Sequence, residues 1–190
     1  MTKNEINIKG KVCLLGDHAV GKTSLIRRYV LDVFEDRYIS TIGTKVTKKT
    51  LTLFENDDSA NIKMTLLIWD IVGDVESLPE IIHSYKKYSP QLKHFKDAKG
   101  GIVVCDISRK NTFKNISNWV SVFKDVVGEV PLVFIGNKLD LQPIALVTKF
   151  DLNDVASKNN SDFFLTSAKT GENVENVFAD LAMKIAKPYI

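Results

Sequence analysis

The sequence predicts an α/β fold: a doubly wound six-stranded sheet, mostly parallel, with one antiparallel strand. Three observations carry that expectation. Short apolar runs alternate along the chain with helical apolar patterns, a glycine-rich phosphate-binding motif joins the first such run to the first helix, and a second ligand motif stands at the carboxyl end of a later buried run.

Residues 11–15 (Lys-Val-Cys-Leu-Leu) read as a buried strand, and Ser24, Leu25, Ile26 and Tyr29 open the helix that follows. Ile62, Met64, Leu66 and Ile68 alternate with polar or outward residues, which marks a half-buried strand ending at Asp70. Asn56-Asp57-Asp58-Ser59 supplies the turn that makes this strand antiparallel to the one before it. Residues 101–106, 130–136 and 163–166 are the remaining apolar strand runs, and helices are expected around 113–127, 152–158 and 174–187. Trp119 and Phe123, four apart, are expected to pack from their helix onto the sheet. Repeats, linkers and low-complexity tracts are absent from the sequence, so residues 1–190 read as one domain.

Composition narrows the function classes. With 190 residues and 44% hydrophobic content there is ample material for a core. The net charge of +3 is slight and the lysines are scattered, which gives nucleic-acid binding no electrostatic footprint. Cys13 and Cys105 both lie in apolar runs and have no metal-ligand spacing, so they read as reduced core thiols of a cytoplasmic protein. No segment resembles a signal peptide, and no apolar run approaches the ~20 residues of a membrane span.

Gly16-Asp17-His18-Ala19-Val20-Gly21-Lys22-Thr23 fits G-x-x-x-x-G-K-[ST] in the strand-to-helix context that the motif requires. Its glycines let backbone N–H groups turn inward around phosphate oxygens, and the helix N-terminus that begins near Ser24 adds its positive end. Lys22 reaches the β- and γ-phosphates, and the Thr23 hydroxyl ligates Mg2+. The base is named by a second motif, Asn137-Lys138-Leu139-Asp140, after the buried run 130–136. Guanine offers two adjacent donors, N1–H and the 2-amino group, that one carboxylate at Asp140 accepts together. Adenine would leave that carboxylate unpaired. Asn137 is expected at the other edge of the base and the stem of Lys138 over its face.

With these two motifs the chain resembles the Ras superfamily of small GTPases, nearest its Rab-like branch, over nearly its whole length. The resemblance extends to Tyr38-Ile39-Ser40-Thr41-Ile42-Gly43, which is similar to switch I, and to Trp69-Asp70-Ile71-Val72-Gly73, which is similar to the start of switch II. It implies that Thr41 contacts Mg2+ and the γ-phosphate in the triphosphate state, that Asp70 holds the metal through water, and that the Gly73 N–H touches the γ-phosphate. Thr166-Ser167-Ala168-Lys169 resembles the last guanine loop, with the Ala168 N–H directed at the base carbonyl O6. Phe34 falls where the family stacks an aromatic on guanine; packing into the core is the other reading of that residue.

Departures from the family pattern concentrate at the γ-phosphate. Asp74 stands where most relatives have the glutamine that orients the attacking water, and its charge would repel an anionic γ-phosphate. His18 replaces a glycine or serine of the phosphate loop, where it either crowds the same space or, as a protonated imidazole, donates to phosphate. Residues 74–99 make switch II about ten residues longer than usual. Ile81, Tyr85, Tyr88, Leu92 and Phe95 form an apolar helical stripe broken at Pro90, expected as two short helices docked on the body or bound to a partner. His94 and the nearby lysines Lys86, Lys87, Lys93 and Lys96 are expected on a solvated face. Trp69 matches an effector-contacting tryptophan of the Rab-like branch, or is covered by the insert, while Val46 replaces a usual phenylalanine.

The sequence therefore predicts a guanine-nucleotide switch that binds GTP and GDP with Mg2+ and hydrolyses GTP slowly, with Lys22, Thr41, Gly73 and Asp74 as catalytic candidates. The alternative is a non-catalytic GTP-binding scaffold. Effectors, exchange factors and GTPase-activating proteins are the implied partners of a monomer. No cysteine follows Cys105 and Thr2 follows Met1, so no direct lipid anchor is expected, and any peripheral membrane association would run through a partner.

Overall fold

Two-residue alternation and continuous apolar runs build the sheet, and their difference decides which strands sit at its centre. The computed structural model describes residues 5–35, 41, 43–54, 61–71 and 92–189. Their elements run β1 (Glu5–Leu15), α1 (Lys22–Leu31), β2 (Lys45–Phe54), β3 (Asn61–Asp70), β4 (Gly100–Asp106), α2 (Lys110–Lys114), α3 (Ile116–Val127), β5 (Leu132–Asn137), α4 (Lys149–Lys158), β6 (Asp162–Leu165) and α5 (Val174–Ala186). The strands order as β2-β3-β1-β4-β5-β6 in one sheet. Only the β2–β3 pair is antiparallel, so the expected mixed six-stranded architecture is the observed one.

β4 and β5 are buried throughout, as continuous apolar strands covered on both faces must be. One face carries Val12, Leu14, Ile68, Ile102 and Val133 against α1 and α5; the other carries Leu15, Val103 and Phe134 against α3 and α4. β1 lies between β3 and β4, so the winding reverses there and a crevice opens at its carboxyl end. The phosphate-binding motif begins at that point.

Several boundaries differ from expectation. β1 starts at Glu5 rather than Lys11, because Ile6 and Ile8 continue the inward register of Val12 and Leu14 while Asn7 and Lys9 face water. That is an alternating, half-buried pattern, and a search for uninterrupted apolar residues passes over it. The expected helix 113–127 is two helices that meet at Asn115. α4 begins three residues early because Thr148 and Asp151 form a reciprocal capping box. Trp119 and Phe123 are core residues, as expected. Cys13 and Cys105 are buried free thiols, both pushed up to about 12 by burial, which leaves them unreactive.

Of the switch II insert, Leu92–His94 forms a single 3-10 turn. Leu92, Phe95 and Ala98 are buried in the second core cluster, and the Phe95 ring meets Phe123 edge-on at 5.3 Å between centroids. The end of the apolar stripe thus docks on the body. Ile81, Tyr85, Tyr88, Pro90 and the turn at residues 56–59 lie outside the described residues. His94 is not on a fully solvated face: it is half-buried, its ring 6.0 Å from that of Trp69.

Phe95→Ala should lower the unfolding free energy by about 3–5 kcal/mol, the range for an aromatic lost from a packed core. Equilibrium urea denaturation measures it. An unchanged midpoint would remove the docking of this segment.

Candidate functional site

The phosphate-loop backbone can be followed only with glycine at its two ends. Gly16 has φ +132°, and a Cβ there would lie 2.2 Å from the Val104 carbonyl oxygen. Gly21 has φ +99°, and a Cβ there would lie 2.3 Å from the Asn137 amide nitrogen. Ala19 is also left-handed, at φ 57°. Val20 is buried and anchors the loop, His18 is exposed at its rim, and Ser24 sits half-buried in the first turn of α1. Buried Lys22 donates from Nζ to the carbonyls of Gly16 at 2.6 Å and Asp17 at 2.8 Å. Burial pulls its ammonium down to about 8 despite the nearby carboxylates of Asp70 and Asp17. A phosphate placed in the loop would add to the opposing charge of those two carboxylates.

At the start of α1, Thr23 Oγ1 donates to Asp70 Oδ2 at 2.5 Å and lies 2.9 Å from Thr41 Oγ1. Asp70 is buried; desolvation raises its carboxyl, against the Thr23 hydrogen bond and the Lys22 charge. Its Oδ1 is buried and has no hydrogen-bond partner. Two hydroxyls and a carboxylate with an unpaired buried oxygen form a set of hard oxygen donors, which fits Mg2+. Residues from switch I, switch II and the loop thereby meet, although they are 18 and 47 positions apart in sequence. Gly73 and Asp74 lie outside the described residues, as do Tyr38, Ile39, Ser40, Ile42 and Val72.

The base-side motifs converge on Asn137. Its buried carboxamide donates to the Val20 carbonyl at 2.9 Å and accepts from Thr166 Oγ1 at 3.1 Å and the Ala168 N–H at 3.2 Å. This is a tie between three loops where a contact with the base edge was expected, and the Ala168 N–H spends its bond on the same oxygen. Asp140 is exposed, with Oδ1 accepting from Ser167 Oγ at 2.6 Å, an arrangement that holds the carboxylate in place. Lys138 is left-handed at φ 70°, and its ammonium is held 2.7 Å from Asp106 Oδ2. Phe34 is partly buried and packs against the first core cluster.

Other residues of the site were not foreseen. Arg28 of α1 donates to the carbonyls of Ala168 and Lys169 at 3.0 and 2.8 Å, bracing the last loop. Asp17 is a buried acid whose oxygens accept from Trp119 Nε1 and Asn115 Nδ2, both at 2.8 Å. Asp106, buried at the end of β4, accepts from Ser108 at 2.7 Å and pairs with Arg109 at 2.9 Å. Burial alone would raise the Asp106 carboxyl, but hydrogen bonds from Lys138 and Ser108 together with the Lys138 charge leave it below the usual range. The sequence signal was available only for Asp17, an acid inside an otherwise tightly packed loop.

Between the switches, Val46 pairs in register with Trp69 and is exposed. The Trp69 ring is half-covered: Lys11 Nζ lies 3.7 Å above its centroid and His94 lies beside it. Part of this surface is therefore screened by the end of the insert.

A family model described as the Ras family matches residues 11–187. The chain is 36% identical over 185 residues to GTP-binding protein ypt5 of Schizosaccharomyces pombe, covering 96% of this chain and 81% of that protein. It is 32% identical over 184 residues to Ras-related protein Rab-21 of Geodia cydonium, covering 96% and 73%, and 35% identical over 176 residues to Ras-related protein Rab-13 of Bos taurus, covering 92% and 79%.

Asn137→Ala should leave the Val20 carbonyl, the Thr166 hydroxyl and the Ala168 N–H without their shared partner and cost about 2 kcal/mol or more. Urea unfolding of the variant beside the parent measures this, and equal stability would show that the tie carries no energy.

Proposed function

The chain belongs to the Ras family as a Rab-like small GTP-binding protein, and we propose that it is a Mg2+-dependent guanine-nucleotide switch that hydrolyses GTP slowly. The observation that carries this reading is the meeting of Thr23, Thr41 and Asp70 beside Lys22, with Asp70 Oδ1 buried and unpaired. Bound there, the metal would neutralise charge on the phosphate oxygens during phosphoryl transfer to water.

The chain's own residues divide the remaining work. Lys22 leaves the carbonyls of Gly16 and Asp17 for the phosphates, and the loop N–H groups, with that of Gly73, stabilise the charge that develops on the transferring group. Thr41 couples the metal to switch I, so loss of the γ-phosphate releases that segment. Asp140, oriented by Ser167, accepts from guanine. Ala168 and Lys138 border the base, and Phe34 stacks on it by family analogy. Asp74 is the residue nearest in sequence role to a water-positioning group, and its charge and the bulk of His18 make the intrinsic rate slow.

His18 and Asp74 also favour a second reading, in which GTP is held without turnover and the protein acts as a scaffold. Single-turnover hydrolysis of preloaded GTP with magnesium and no added partner separates the two, since a scaffold leaves the nucleotide intact. In either case effectors, exchange factors and activating proteins are the expected partners. Among the described residues no helix is long and apolar enough to cross a membrane; peripheral attachment through a partner fits the reading.

Asp140→Asn turns an acceptor into an amide that can face the 2-carbonyl of xanthine, so the ratio of GDP to xanthosine diphosphate affinity should fall by roughly 100-fold. Competition binding decides it, and retained guanine preference would mean the base site is wrongly placed. Asp74→Gln should speed GTP loss by about tenfold by removing one charge repulsion and adding an amide donor. If the variant is slower than the parent, Asp74 is itself the working water-positioning residue.

A further inference from the structure

Three contacts fasten the outer wall of the phosphate loop to the segment after β4. Two of them end on the Asp17 carboxylate, from Asn115 and Trp119. The third comes from Arg109, whose guanidinium donates from one terminal nitrogen to the His18 carbonyl at 3.0 Å and from Nε to Asp106 Oδ2 at 2.9 Å. Asp106 is buried and is itself held by Ser108 and Lys138, so the guanidinium is anchored on one side and reaches the loop with the other. The Arg109 side chain is 38% exposed.

The contact fixes a peptide plane. The described peptides are all trans, and in a trans peptide the C=O of one residue and the N–H of the next point in opposite directions. Pinning the His18 carbonyl toward Arg109 therefore turns the Ala19 N–H away from it. Ala19 at φ 57° and Gly21 at φ 99° are left-handed residues of the kind that line up successive N–H groups as an anion nest. We propose that Arg109 is a positioning residue of the nucleotide site: braced on Asp106, it holds the His18–Ala19 peptide so that the Ala19 N–H donates to the phosphates of bound nucleotide. The proposal rests on the guanine-nucleotide reading and adds to it a residue 91 positions from the loop it orients.

The chemistry demands arginine in particular. One planar fork spans two acceptors at fixed separation, whereas a lysine ammonium in its place carries the same charge but cannot hold Asp106 and the His18 carbonyl in that relation. Arg109→Ala and Arg109→Lys therefore distinguish orientation from charge. Each full-length variant is loaded with fluorescently labelled GDP and Mg2+, and release is timed at low and high salt. The Ala19 amide proton is followed by NMR in the GDP complex, where a short hydrogen bond to phosphate moves it downfield.

Both variants should release GDP about tenfold faster than the parent, the scale of one charge-assisted hydrogen bond. Both should lose the downfield Ala19 resonance, and the rate difference should survive high salt. Arg109→Lys behaving as the parent, or a difference abolished by salt, would overturn the proposal in favour of charge alone. Unchanged release in Arg109→Ala, or faster release with the Ala19 resonance unmoved, overturns it as well. Failure of the parent protein to retain GDP would instead sink the nucleotide reading, and the proposal with it.

Discussion

One buried carboxamide holds the site together. Asn137 stands at the end of a central strand, and its two polar atoms reach the phosphate loop through Val20 and the last base loop through Thr166 and Ala168. In a buried setting each of those bonds must be made, because an amide or carbonyl left without a partner there costs about 1–3 kcal/mol. The need for Gly21 follows directly, since any side chain at that position would displace the Asn137 nitrogen. The sheet supplies the geometry that makes the tie possible: parallel pairing brings the carboxyl ends of β1, β4, β5 and β6 to one edge, with their loops adjacent.

Around that tie the site concentrates buried charge, which a stable fold ordinarily avoids. Lys22, Asp17, Asp70 and Asp106 are all buried, and three of the four are satisfied by the protein itself. Asp17 is neutralised in hydrogen-bonding terms by Trp119 and Asn115, Asp106 by Lys138, Arg109 and Ser108, and Lys22 by two loop carbonyls. Asp70 is different. One of its oxygens is bonded to Thr23, and the other is buried without a hydrogen-bond partner among the described residues, although the Lys22 and Lys45 charges act on the carboxylate. Asp17 and Asp106 are thus closed among protein groups, whereas Lys22, held only by neutral carbonyls, and Asp70, with one oxygen unpaired, are the two charges that the fold leaves incompletely matched.

Much of this was legible from local pattern. The two nucleotide motifs, the individual strand runs and the helices 152–158 and 174–187 depend on neighbours within a few residues, and the structure has those strands and helices with shifts at their ends. What was not legible depends on distant pairs. Arg109 to His18, Trp119 to Asp17 and Arg28 to Ala168 join residues 91, 102 and 140 positions apart, and although the motifs mark His18, Asp17 and Ala168, nothing local pairs them with Arg109, Trp119 and Arg28. The Trp119 reading was half complete for the same reason: spacing at i and i+4 shows that the ring faces the sheet, but not that its indole nitrogen finishes on an acid of the phosphate loop. The early start of α4 is a different case, because Thr148-x-x-Asp151 is a local signature that could have been read.

The segment 92–98 gains meaning from what its buried residues touch. Phe95 packs on Phe123, which lies one helical turn from Trp119 on α3, and Trp119 holds the Asp17 carboxylate of the phosphate loop. The same short stretch places His94 beside Trp69, whose strand brings Asp70 to Thr23 one residue later. Packed interiors resist small displacements, so a segment seated on both α3 and β3 is restrained by the helix that braces the phosphate loop through Trp119 and by the strand that ends at Asp70. Residues 92–98 are therefore anchored on the body immediately before β4. Under the switch reading proposed above, that anchor and Asp70 are the two held ends between which a nucleotide-dependent change would be confined.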